Sequence, residues 1–353
     1  MRLFLLMLLA VAGFSLSARE GVPEEERPGA GGFSKTEGFV WNGETVRCTA
    51  ERLPDASTYF RTDIRFPLSV SRFRGRLAEL AGEFRWVAGA SAAGRRQGLV
   101  QLVVRKKNGS EEYFSAFVRP ENSEWRKFVF PAVIDSQAER VFLVVGFQKS
   151  SGCFEVRNLR ISILGTALPI YREGNRAWLD ETPGDGKGGW CDQGPASDGR
   201  VFLSRLSGKS RIAGVPFFLK DLWMRNAPAI LAMKSKNNPA GLAEKEFVFP
   251  HPVRARFLYL LHALSYADGS GCAGRIRVRF DSGEQEIPVV DGRDVGDWWN
   301  GKSVPGAGDA MRVRLPDGSQ RVLYVTRFHV QDRPIRSISF LAEEGKTTWI
   351  LCG

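Results

Sequence analysis

The chain has 353 residues, with 50 Lys plus Arg against 39 Asp plus Glu and a formal net charge of +11. Apolar residues make up 43% and charged residues 25%, a globular balance that excludes wholesale disorder and leaves room for two domains of ordinary size. The basic excess invites a nucleic-acid reading, but its densest clusters, Arg105-Lys106-Lys107 and Arg95-Arg96, are short and the rest is scattered; a basic protein that meets anionic polymers or a cell surface fits better than a nucleic-acid binder.

Met1-Arg2 opens on a positive charge, Leu3 to Phe14 is a short apolar run, and Ser15-Leu16-Ser17-Ala18 supplies the small residues a signal peptidase needs. Residues 1–18 therefore predict a secretory signal, too short for a spanning helix. No cysteine follows directly, so a lipid anchor is not expected, and no later apolar run reaches membrane-spanning length. The expected location is secreted, periplasmic or cell-surface. Residues 19–32, REGVPEEERPGAGG, predict a flexible linker. Export permits disulfides, and the five cysteines (Cys48, Cys153, Cys191, Cys272 and Cys352) leave at least one unpaired in a monomer. A Cys48–Cys153 bridge joining the ends of the first domain is one expectation; burial of the thiols as small apolar residues is the other. With no C-x-x-C and only His251, His262 and His329, none near another, structural zinc is not expected.

A first domain is expected over 33–165. Its runs TYFRTDIRF (58–66), GEFRWVAGA (82–90), GLVQLVVRKK (98–107), EEYFSAFVR (111–119), WRKFVFPAVI (125–134), RVFLVVGFQ (140–148) and CFEVRNLRISI (153–163) alternate apolar and polar residues with period two. Lys107-Asn108-Gly109-Ser110 predicts a hairpin turn, because Asn and Gly tolerate positive φ. After a junction at 165–174, a second domain is expected over 175–353. Its strands are VPFFL (215–219), PAILAM (228–233), KEFVFP (245–250), ARFLYLLHALSY (255–266), GRIRVRF (274–280), QEIPVV (285–290), RVLYVTRFHV (321–330) and RSISFLAE (336–343). Asp281-Ser282-Gly283 predicts another turn, and DLWMRNAPA (221–229) a short helical turn. The fold class is all-β: two antiparallel β-sandwich domains.

The stretch GDGKGGWCDQGP (184–195) is not a phosphate loop: no Ser or Thr follows Lys187, no helix is expected after it, and Asp185 would repel phosphate. Asp185, Asp192 and Asp198 do not match a helix–loop–helix calcium loop. Two readings stay open, a looser calcium site of carboxylates and carbonyls using Asp185 and Asp192, and a structural turn whose aspartates bond loop amides while Trp190 caps the core. Carboxylates placed for glycoside hydrolysis would be Asp180-Glu181, Asp294 with Asp297, or Glu343-Glu344, all in stretches that read as solvated loops or strand ends. No G-x-S-x-G is present, and His262 inside LYLLHALSY reads as a satisfied core histidine. Trp298-Trp299 is the more suggestive element, since indole faces stack on sugar rings; on an extended backbone one ring would be core and the other exposed. Trp298, Trp299, Asp297, Asp294, Trp190 and Asp192 are the candidate ligand contacts.

The order of strands in the first domain, with Trp125 after Ser123-Glu124 and a last strand Phe154-x-Val156-x-Asn158-Leu159-x-Ile161, resembles the jelly-roll carbohydrate-binding modules of bacterial polysaccharide enzymes. In that family the last strand carries acidic residues where Arg157 and Asn158 stand here. The second domain resembles a galactose-binding-like sandwich found beside glycoside hydrolases. The resemblance rests on Gly186-Lys187-Gly188-Gly189-Trp190-x-Asp192-x-Gly194-Pro195, Gly214-Val215-Pro216-Phe217, Leu258-Tyr259-Leu260-Leu261-His262-Ala263, Asp281-x-Gly283, Ile287-Pro288 and Gly292-x-Asp294-Val295-x-Asp297-Trp298-Trp299. These resemblances imply a secreted, non-catalytic protein that binds a polysaccharide or glycan, with an acidic one favoured by the charge, and no nucleic-acid partner. A glycosidase or lyase using Asp294, Asp297 or the Asp185/Asp192 loop is one alternative; a structural or adhesive surface protein is the other.

Overall fold

A computed structural model describes residues 25–26, 39–41, 45–50, 61–88, 97–118, 122–148, 152–186, 189, 191–206, 211–219, 227–269, 271–299 and 301–353. The expected signal over 1–18, Lys187, Trp190 and most of 221–229 lie outside them. The first half of the chain forms β1 (Glu25–Glu26), β2 (Phe39–Trp41), β3 (Thr45–Ala50), β4 (Arg61–Leu68), the one-turn helix α1 (Val70–Phe73), β5 (Arg76–Ala88), β6 (Gln97–Lys106), β7 (Glu111–Val118), β8 (Arg126–Val133), β9 (Ala138–Gln148) and β10 (Gly152–Thr166). The second half forms α2 (Ile170–Glu173), α3 (Arg200–Leu206), β11 (Arg211–Ile212), β12 (Val215–Pro216), β13 (Leu231–Ala232), β14 (Glu244–Val253), β15 (Phe257–Ser265), β16 (Cys272–Phe280), β17 (Glu284–Val290), β18 (Ala307–Arg314), β19 (Gln320–His329), β20 (Ile335–Ala342) and β21 (Thr348–Leu351).

The molecule is all-β, and every paired strand is antiparallel. In the first half, β2-β3-β10-β5-β8 faces β4-β9-β6-β7, so successive strands pass between two sheets in jelly-roll order. Period-two alternation explains the pairing: Val100, Leu102 and Val104 of β6 point into one core with Leu143, Val145 and Phe147 of β9 and with Phe84, Trp86, Phe154 and Val156 of the opposite sheet. The turn between β6 and β7 closes at Gly109, whose φ of +82° is open to glycine at no steric cost, while Asn108 Oδ1 accepts the Ser110 N–H at 3.0 Å.

In the second half, β13-β21-β15-β19-β18 faces β14-β20-β16-β17. On β16, Ile276, Val278 and Phe280 are buried, whereas Arg275, Arg277 and Arg279 meet Glu343, Glu286 and Glu246 at 2.7, 3.0 and 2.9 Å. Strand β15 is buried on both faces, hence its nearly unbroken apolar run. His262 meets Trp349 on the inter-sheet side. On the other side Ser265 lies against Cys191, and Phe217 reaches the Leu261 backbone end at Gly353. The long segment from α2 to β13 thus roofs β15. It also ties the halves together: Arg172 pairs with Glu112 and, at 3.1 Å, with Asp135, and Phe218 packs on Phe114 and Tyr171.

Several sequence expectations need correction. Cys48 pairs with Phe154 and Cys153 with Thr49 in the β3–β10 register, so the two thiols stand on opposite faces of the sheet and cannot bridge; all five cysteines are free. VPFFL is a strand only at Val215–Pro216, and PAILAM only at Leu231–Ala232. Strands β2, β3, β18 and β21 and helix α3 stand where none was expected. Within the stretch read as linker, Glu25–Glu26 pairs with Ile161 and Ser162, past the end of β3 along the β10 edge. Among the described residues no helix is long and apolar enough to cross a membrane.

Candidate functional site

Three connections meet at one end of the β15 sheet: the glycine-rich stretch 180–198, the β15–β16 turn at 265–271 and the long β17–β18 connection at 291–306. The first begins at Asp180, directly after the buried pair Trp178-Leu179. Asp180 is 0% exposed, against the expectation of a solvated carboxylate. Its backbone N–H donates to Asp198 Oδ2 at 3.1 Å and its Oδ2 accepts the Gly194 N–H at 2.7 Å; Oδ1 has no partner. Gly189 lies against it, with φ +56° and a position for a Cβ only 2.7 Å from Asp180 Cβ. Only glycine fits that approach in that conformation.

Asp192 adopts φ +53°. Its Oδ2 accepts the Gly186 N–H at 2.8 Å and its carbonyl the Gly184 N–H at 3.0 Å, while Oδ1 is buried without a partner. Asp185 is exposed, and one oxygen each of Asp180, Asp185 and Asp192 lie within 4.8 Å of one another. The loop expected to hold Asp185 and Asp192 together does so, with Asp180 as a third member that sequence reasoning left out. Asp198, by contrast, accepts the Arg200 N–H at 2.9 Å and so caps α3.

The stretch is fastened to its neighbours on either side of Asp192. The Cys191 thiol donates to Ser265 Oγ at 2.9 Å, and burial pushes its pKa up to about 11. The Gln193 amide donates to the Tyr266 hydroxyl, whose pKa is raised, chiefly by burial. One residue on, the Ala267 N–H donates to Asp297 Oδ2 at 2.9 Å, and Asp297 Oδ1 accepts the Trp299 N–H at 2.7 Å. Burial raises the Asp297 pKa even so. Asp294 accepts the Val290 N–H at 2.9 Å and the Arg293 guanidinium at 2.7 and 3.0 Å. Asp294 and Asp297 therefore hold the 291–299 backbone in shape.

That backbone presents the tryptophan pair. Trp298 is 2% exposed, edge-on to Phe202 at 6.2 Å. Trp299 is 44% exposed. The buried Arg321 guanidinium lies 3.4 Å from the Trp299 ring centroid and donates to the Trp299 carbonyl at 3.0 Å. One indole face is thus backed by a cation, and the Trp298 ring packs on the same indole at 80° with centroids 5.1 Å apart.

His262 is 0% exposed. Its Nδ1 accepts the Trp349 indole N–H at 3.0 Å, which leaves Nε2 carrying the proton toward Thr326 Oγ1 at 2.8 Å. Thr326 in turn donates to the Asp294 carbonyl. Burial drives the His262 pKa down to about 3, so the ring is a neutral core spacer.

Sequence reasoning also passed over the outer face of the β6–β7 hairpin. Tyr113 (52% exposed) and Phe117 (43% exposed) point outward from β7 with Ser115 between them, bonded to Gln101 at 2.6 Å. Four residues along a strand place the two rings roughly 13 Å apart. The signal was the i, i+2, i+4 pattern in YFSAF. On the opposite sheet Arg157 pairs with Glu83 at 2.6 Å, and both Arg157 and Arg85 lie over the Trp125 ring, at 4.0 and 4.7 Å; that tryptophan is engaged internally.

Solved structures to which the chain is similar include carbohydrate-binding modules and an α-L-arabinofuranosidase. The C-terminal family 22 carbohydrate-binding module of Clostridium thermocellum Xyn10B is 16% identical, with a TM-score of 0.26 over 40% of this chain and 99% of that one. The CBM22-1 xylan-binding domain of Paenibacillus barcinonensis Xyn10C is 16% identical, with a TM-score of 0.25 over 38% of this chain and 92% of that one. The tandem CBM22-1–CBM22-2 of the same enzyme is 12% identical, with a TM-score of 0.26 over 90% of this chain and 92% of that one. No family model matches the chain, and no curated protein does.

Proposed function

We propose that this is an exported, non-catalytic protein of two sandwich domains, 33–165 and 175–353, that binds a polysaccharide or glycan. The observation that carries the reading is Trp299: a 44% exposed indole backed by Arg321, on a residue whose backbone N–H donates to Asp297. An immobilised aromatic face loses little freedom when a sugar ring stacks on it, and the C–H face of a pyranose matches it in polarity. Affinity is modest, because hydroxyls exchange bonds to water for bonds to protein at little net gain. The Tyr113–Phe117 strip is a second surface of the same character.

The absence of catalysis is supported by what the carboxylates do. Asp294 and Asp297 engage backbone N–H groups or Arg293 through both oxygens, a role in shaping the loop that fits a binding surface. An acidic glycan is the favoured ligand on net charge, although arginines such as Arg275, Arg277 and Arg279 already face glutamates. A glycan array probed with the mature chain tests the reading. Binding to at least one glycan class, lost in Trp299→Ala or in Tyr113→Ala/Phe117→Ala, supports it and identifies the surface; silence across neutral and acidic glycans overturns it.

A further inference from the structure

We infer that Asp180, Asp185 and Asp192 bind one divalent cation of the calcium class. Oxygens that share a calcium ion lie about 2.3–2.6 Å from it, hence up to about 5 Å apart across it; the three carboxylates here offer oxygens within 4.8 Å of one another. Proximity among acids is common, and the decisive feature is what the buried members lack. Asp180 is wholly buried, its Oδ2 is held by the Gly194 N–H, and its Oδ1 meets no donor. Asp192 repeats the pattern, with Oδ2 on the Gly186 N–H and Oδ1 buried and unpartnered. A desolvated carboxylate oxygen left without a donor is unfavourable, and two such oxygens beside a third carboxylate repel each other as well. Among the described residues neither Asp180 nor Asp192 forms an ion pair. The Arg176 guanidinium comes beside Gly186 through Nη1 and donates to Asn238 through Nη2 at 3.1 Å. A single hard cation seated among the three carboxylates would give the orphaned oxygens the partner they lack.

The donor set selects the ion. All three ligands are oxygens, and the one thiol nearby, Cys191, donates its proton to Ser265, so it does not offer the thiolate that soft metals take. A loop of turns with one exposed ligand suits the large, irregular shell of calcium better than the strict octahedron of magnesium. The cation would also brace the sugar-binding corner. Asp192 lies between the residues that hold Ser265 and Tyr266, and the chain continues from Ala267 through Asp297 to Trp299.

The test uses the full mature chain stripped of metal with chelator and titrated with calcium chloride alone, followed by calorimetry and thermal unfolding. We expect one site per chain, in the affinity range of extracellular modules, a Kd of about 10⁻⁴–10⁻³ M or tighter, and a Tm that climbs with calcium. Asp185→Asn, at an exposed position, should weaken calcium at least about tenfold, with its calcium response read against its own metal-free Tm. Asp180→Asn keeps an acceptor for Gly194 and puts a donor where the orphaned oxygen stood. It should be no less stable than the wild type in chelator, yet lose the calcium response. No heat and no Tm shift up to about 10 mM calcium, or undiminished calcium binding by both variants, would overturn the assignment. Magnesium or zinc binding with equal or higher affinity would overturn the choice of ion. Because no sugar is present, the result is independent of glycan binding.

Discussion

Replacing Gly189 with Ala isolates the fit on which the acidic loop depends. The new methyl would sit 2.7 Å from Asp180 Cβ, 3.1 Å from its Oδ2 and 3.3 Å from its Cγ, at a φ of +56°. An L side chain in the left-handed region costs about 1–2 kcal/mol, and forcing one methyl into a packed site costs about 1–3 kcal/mol more. Asp180 cannot step aside, because Gly194 and Asp198 hold it at 2.7 and 3.1 Å and no solvent borders it. The expected loss is therefore about 2–5 kcal/mol. Gly318→Ala is the control: it has φ +83° and nothing within 4 Å of the added methyl, so only the backbone cost applies. Urea unfolding of both variants, compared at unchanged m, should place Gly189→Ala lower by about 1–3 kcal/mol. Equal losses would show that the contact with Asp180 contributes nothing and that the loop relaxes freely.

Trp299→Ala should abolish glycan binding through that corner while changing the urea midpoint little, since the ring is 44% exposed; a large loss of stability would mean that the ring is structural instead. His262 is held neutral with its pKa lowered to about 3 from 6.5. Between those values the unfolded chain takes up a proton that the folded one refuses, so stability falls as pH drops from 6.5 toward 3, by up to about 1.4 kcal/mol per pH unit. His262→Gln should remove that part of the slope in a pH series of urea midpoints, and an unchanged slope would count against it. Alkylation of the native protein at pH 8 should label exposed Cys272 first and spare buried Cys48 and Cys352, as peptide mass mapping would read; early labelling of Cys352 would contradict the packing of β21's end against β15.

The sheets were legible where one face is wet and the other dry. On β16 the alternation of Ile276, Val278 and Phe280 with Arg275, Arg277 and Arg279 marks a strand from composition alone, and on β7 the pairing of Phe114, Ala116 and Val118 against Tyr113, Ser115 and Phe117 does the same. The pattern fails where burial is two-sided or the side chains are small. Strand β21 is four residues, all buried, and shows no alternation to detect. Strand β18 breaks its rhythm at a register shift between Asp309 and Met311. VPFFL was over-extended for the opposite reason: Phe217 is apolar because it roofs β15, not because it joins a ladder. Helix α3 was passed over because Val201-Phe202-Leu203 reads as β, although Asp198 ahead of it is an ordinary cap.

The corner formed by the three connections was legible only in parts, and the reason is topological. Local sequence brings Asp185 and Asp192 into one turn, but the extended backbone expected at Trp298-Trp299 is a turn instead, and the two rings pack edge to face with centroids 5.1 Å apart, one buried and one exposed. Local sequence cannot say that Asp180 swings into the turn of Asp185 and Asp192, since a carboxylate beside Glu181 reads as solvated until Gly189 and Gly194 are seen to close over it. Nor can it say that Arg321, on β19, lies under Trp299, or that Cys191 and Gln193 reach Ser265 and Tyr266 some 74 and 73 positions along the chain. Each of those contacts depends on the roof over β15 being in place. A surface built this way has its exposed ring and its acidic turn on separate segments that share one chain of hydrogen bonds through Tyr266, Ala267 and Asp297. Linkage then fixes a relation between the two proposed ligands. Whatever factor calcium adds to the affinity for glycan, glycan must add to the affinity for calcium, and Gln193→Ala, which removes the bond to Tyr266 without touching Trp299 or the three carboxylates, should bring that factor toward one while leaving each site able to bind alone.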